Sequence, residues 1–103
     1  MEFKQAVEVL KQRVTELRDD SNLDVTSVLH LLQSPAMHVL IKGCTEQYQR
    51  SCAADLVQSI SRVAEQVRTV WLRRELLTVE RLCDHALDAY SWHENEKKEK
   101  VPA

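Results

Sequence analysis

Apolar residues recur along this chain at alternating steps of four and three, with almost nothing to interrupt them. Phe3, Val7, Leu10, Val14 and Leu17 form one run. Met37, Ile41, Cys44 and Tyr48 form a second, Leu56, Ile60, Val63, Val67 and Val70 a third, and Leu76, Val79, Cys83, Ala86 and Tyr90 a fourth. This period sets each run on one stripe of an α-helix, and each stripe has to be buried against something. One Gly and two Pro in 103 residues leave few sites for the tight turns a sheet requires. The expected fold is therefore all-α: a small bundle of three to four helices, with room for a partner to complete it. Residues 1–94 are expected to form a single helical domain and 95–103 a charged, flexible tail, since HENEKKEKVPA lacks apolar anchors.

The breaks between helices are marked unevenly. A first helix is expected from about Glu2 to Arg18. Asp19-Asp20-Ser21-Asn22 then interrupts it, because these side chains compete for backbone hydrogen bonds. Ser21 or Asn22 is the expected cap of a short helix carrying Leu23, Val25, Val28, Leu29, Leu31 and Leu32. That helix is apolar on more than one side and reads as sandwiched between others. Ser34-Pro35 is the sharpest punctuation. Proline disfavours helix in the residue before it, while Ser suits an N-cap and Pro the first helical position. The helix beginning there is expected to reach at least Tyr48, with Gly43 inside it at a cost of about 1 kcal/mol relative to Ala. From Ser51 to His93 there is neither Gly nor Pro. The third and fourth stripes are out of register across Val70 to Leu76, which fits either one long helix with a widened apolar face or two helices turning near Arg68–Glu75, the β-branched Thr69 and Val70 favouring the break.

Residues 31–41, Leu-Leu-Gln-Ser-Pro-Ala-Met-His-Val-Leu-Ile, resemble the signature of the Lin-2/Lin-7 heterodimerisation domain of membrane-associated scaffold proteins. The first helix, from Ala6-Val7-Glu8-Val9-Leu10 through Leu17, also resembles that family's opening helix. The likeness covers roughly residues 3–50. Gly43-Cys44-Thr45 stands where the family often has an apolar–His–Asp step, and no second Ser-Pro signature follows Ser51. The resemblance implies pairing with a cognate domain, two or three helices from each partner completing a bundle.

No pattern spells out a reaction, a cofactor or a metal. Zinc ligands need tight local spacing such as CxxC. Cys44, Cys52 and Cys83 offer none, Cys83 and His85 point apart on a helix, and only His30 and His38 flank a joint. A nucleophilic Cys needs an oxyanion site and an orienting group, usually on loops, which are scarce here. The expectation is a non-enzyme, with the cysteines as reduced thiols of an intracellular, cytoplasmic protein, a membrane-associated complex included. MEFKQAVEVL carries no basic-then-apolar leader, no stretch approaches the roughly 20 apolar residues that span a bilayer, and the net charge of −2 gives no general pull toward nucleic acid or anionic membrane. Arg62, Arg68, Arg73, Arg74 and Arg81, interleaved with glutamates, read as a solvated face. Neither nucleic-acid binding nor direct membrane insertion is expected.

The expected function is protein–protein interaction: a helical hetero- or homo-assembly domain of a scaffold or adaptor, pairing with another helical domain or with itself. The expected contact residues are Leu32, Met37, Leu40, Ile41, Tyr48 and Trp71. Trp71 and Trp92 flank the stripes, where Trp serves either as an interface anchor or as the cap of a small core. The alternative is a helical oligomerisation or regulatory subunit of a larger complex, a nuclear one included, using the stripes over 56–90 as a coiled-coil seam.

Overall fold

A computed structural model describes residues 1–19 and 23–99. They form five helices: α1 (Phe3–Asp19), α2 (Val25–Leu32), α3 (Pro35–Lys42), α4 (Gln47–Glu65) and α5 (Leu72–Glu99). No strand occurs among the described residues. α5 packs on α1 and α4, and α3 packs on the same two helices from the other side, so α1, α3, α4 and α5 close a ring. α2 prolongs the α3 side of that ring and rests mainly on α4. Contacts fix the directions. Phe3 meets Tyr90 while Thr15 meets Glu80, and Tyr48 stacks on His93, so α5 runs antiparallel to both α1 and α4. The result is an up-down-up-down bundle whose second helix is broken in two, with extents of 55 × 22 × 18 Å.

The core is made by the stripes. Phe3, Val7, Leu10 and Val14 of α1, Leu56, Ile60 and Val63 of α4, and Leu76, Val79, Cys83 and Ala86 of α5 are all buried. The third and fourth stripes thus cover each other within one chain. Val70 departs from its run. It lies past the end of α4 and is 89% exposed, because the helix stops at Glu65. The turn over residues 66–71 is held by the Thr69 hydroxyl, which donates to the Gln66 carbonyl at 3.0 Å and accepts from the Trp71 N–H at 3.2 Å.

The joint at Ser34 is as expected: Ser34 caps α3, its Oγ accepting from the Met37 N–H at 3.4 Å, with Pro35 in the first turn. Two other boundaries differ. The cap of α2 is Asp24, not Ser21 or Asn22, which lie outside the described residues. Asp24 Oδ1 accepts from the Ser27 N–H at 3.0 Å, and this bond holds its carboxyl below the usual range. α3 ends at Lys42 rather than running on to Tyr48. Gly43 is its C-cap, and a Cβ there would stand 3.0 Å from the Val39 carbonyl oxygen. Cys44 Sγ then donates to the Leu40 carbonyl at 3.5 Å, and the Gln49 side chain reaches back to accept from the Thr45 N–H at 3.2 Å. Side chains thus satisfy backbone groups that a continuous helix would have paired. At the far end α5 stays helical through Glu99, where the expectation placed the charged tail from residue 95, and the Lys97 ammonium donates to the Glu46 carboxylate. Residues 100–103 lie outside the described residues.

Candidate interaction surface

The bundle is locked along α1 and α5 by polar contacts. Glu80 is buried, accepting from the Thr15 hydroxyl and from Arg18 Nη1, both at 2.7 Å. One turn on, Lys11 pairs with Asp84, and that bond holds the ammonium pKa above its usual value. One end is closed by aromatic rings. Phe3 meets Tyr48 edge-on at 6.0 Å, Tyr48 stacks on His93 at 3.9 Å, and Trp92 packs edge-on against His93 at 4.9 Å. These contacts stabilise the fold and leave little free apolar surface there beyond Met1 and Trp92.

α2 is different. Five of the eight residues of VTSVLHLL are apolar, yet only Val28 and Leu31 are buried. Val25 is 39% exposed, Leu29 is 46% exposed, and Leu32 is half-buried. Their spacing of four and three puts them on one outward stripe. α2 touches both α4 and α1, α4 more extensively, and its Val25 and Leu29 side is left uncovered. Beside it, an open cleft of about 300 Å³ separates α2 from α1, lined by Arg13, Glu16, Leu17, Ser27, His30, Leu31 and Ser34. From α2 the cleft takes Ser27, His30 and Leu31, which lie on the face of that helix opposite the Val25, Leu29 and Leu32 stripe.

The six expected contact residues do not form one patch. Met37 and Leu40 belong to the core. Tyr48 is half-buried in the aromatic cluster. Leu32 lies on the α2 stripe. Ile41, 59% exposed, sits near the end of α3, and Trp71 lies at the opposite end of the bundle, beyond α4. Val25 and Leu29 complete the stripe around Leu32. Their signal was already present in the sequence as the apolar excess of a short helix. His30, His38 and His85 are exposed, and among the described residues no three His, Cys, Asp or Glu side chains gather as metal ligands. Burial pushes the thiols of Cys44 and Cys52 up, and that of Cys83 from its ordinary 9.0 to about 12.

Fold and surface together define a small helical bundle whose α2 carries an exposed apolar stripe. No protein-family model, curated protein or solved structure matches the chain. No helix among the described residues is long and apolar enough to cross a membrane.

Proposed function

We propose that this chain is a protein–protein interaction module of a scaffold or adaptor, pairing through α2 with another helical domain or with a second copy of itself. The observation that carries the reading is the outward stripe of Val25, Leu29 and Leu32 on α2, with Val25 and Leu29 exposed. A partner helix laid along such a stripe buries anchors at matching four- and three-residue spacing, and an apolar face rimmed by polar groups marks an interaction site. The Lin-2/Lin-7 resemblance over residues 3–50 supports the same reading, because α1, α2 and α3 fall within it.

The test is Leu29→Asp. The side chain is half out in solvent, so the variant keeps the helicity of the wild type by circular dichroism. In a pull-down from cell extract, the variant should lose a partner that the wild type retains. A partner retained equally by both proteins would remove α2 from the interface.

A further inference from the structure

We propose that the corner between α4 and α5 docks on an anionic lipid surface, with Val70 and Trp71 at headgroup depth and Arg68, Arg73 and Arg74 against the lipid anions. This site is separate from α2 and does not rest on the pairing proposed there.

Residues 66–74, Gln-Val-Arg-Thr-Val-Trp-Leu-Arg-Arg, hold three arginines and no acid in a chain of net charge −2. Glu65 and Glu75 bracket the stretch, so residues 65–75 hold three arginines against two glutamates, a small local excess of positive charge in an acidic chain that favours presenting this corner to an anionic surface. All three arginines are exposed. Arg68, Arg73 and Arg74 have no carboxylate pair among the described residues, a state they share with Lys4, Lys42, Arg50, Arg62 and Arg81, while Lys11, Arg13, Arg18 and Lys97 are paired. Arg74 instead lies over the Trp71 ring at 5.8 Å, a contact that keeps its charge available.

At the apex of the turn Val70 is 89% and Trp71 53% exposed. The Thr69 hydroxyl holds the turn in shape through Gln66 and Trp71, so little ordering is left for the moment of binding. The turn joins α4 to α5 at one end of a body 55 Å long, with Val70 and Trp71 standing out in solvent. A flat, deformable, negatively charged surface fits that shape, whereas a protein partner would have to bring both a pocket and an acidic rim. Trp settles at the membrane–water interface, and each basic residue near an anionic leaflet adds attraction. The contact is shallow and involves no spanning segment.

The test uses Trp92→Phe protein, in which Trp71 is the only tryptophan, with phosphatidylcholine vesicles prepared with and without phosphatidylserine. The protein should co-sediment with the phosphatidylserine vesicles alone, lose that retention as salt is raised, and show a blue shift of Trp71 emission on binding. Adding Arg73→Gln and Arg74→Gln should weaken partition roughly 30-fold, at ~1 kcal/mol for each charge removed from the surface. Both side chains are exposed, and Arg68→Gln provides a second variant clear of α5. No retention by phosphatidylserine vesicles, retention indifferent to the arginines, or retention without a shift of Trp71 would each overturn the proposal. So would arginine variants that weaken protein assembly while vesicle binding stays nil, since the corner would then be a protein contact.

Discussion

Cys83 shows how far burial reaches into the chemistry of a single residue. It lies in the core on α5, and removal from water disfavours its thiolate, lifting its pKa from 9.0 to about 12. Below pH 9 the thiol is neutral in both the folded and unfolded chain, and it makes stability no function of pH. Between pH 9 and 12 the unfolded chain ionises while the folded one does not, so stability falls as pH rises through that window. Cys83→Val should make this part of the pH–stability curve less steep without levelling it, since Cys44, Cys52, Tyr48, Lys11 and Lys97 are shifted the same way, as read by denaturant unfolding at several pH values. In the native wild type at neutral pH, a thiol reagent should label Cys44 and Cys52, which are partly exposed, well before Cys83. Comparable labelling of all three would show that the core opens more readily than this packing allows.

The helices differ in how plainly their ends are written in the sequence. Ser34-Pro35 was legible because a covalent ring forbids helix in the preceding residue, and Ser is a strong cap. Ser34→Ala should cost about 1 kcal/mol or somewhat less, given the 3.4 Å bond to the Met37 N–H; a silent substitution would mean that proline alone sets the boundary. The step between Val70 and Leu76 was also legible as a change of register, though the turn lies over 66–71, slightly earlier than expected. The end of α3 was not legible. A lone Gly costs a helix only about 1 kcal/mol, and nothing local announces that Cys44 and Gln49 will serve the freed backbone groups. Nor could hydropathy place α2. A helix apolar on two sides reads the same whether its own chain or a partner covers the second side, and only the packing shows that α4 leaves Val25 and Leu29 outside. The candidate site was therefore legible at Leu32 but not at Met37 or Leu40, whose spacing cannot distinguish core from interface.

On the scale of the whole molecule, the bundle closes its core within one chain and leaves two surfaces unspent: the α2 stripe and the α4–α5 corner. Neighbouring residues of α3 separate core from surface sharply. Leu40→Asp puts an unpaired charge among buried side chains and should unfold the domain. Ile41→Asp, one residue on and largely exposed, should leave the melting temperature within a few degrees of the wild type; equal loss from both would mean that α3 is covered on both faces. The central claim is that α2 is an assembly surface. Sedimentation equilibrium of the wild type and of Leu29→Asp, each alone at several concentrations and each mixed with any helical partner recovered, tests it most directly. The account predicts that the wild type forms a complex, with itself or with that partner, and that Leu29→Asp stays monomeric in every cell at unchanged helicity. A wild type that is monomeric throughout, or a complex whose affinity ignores Leu29, would contradict it.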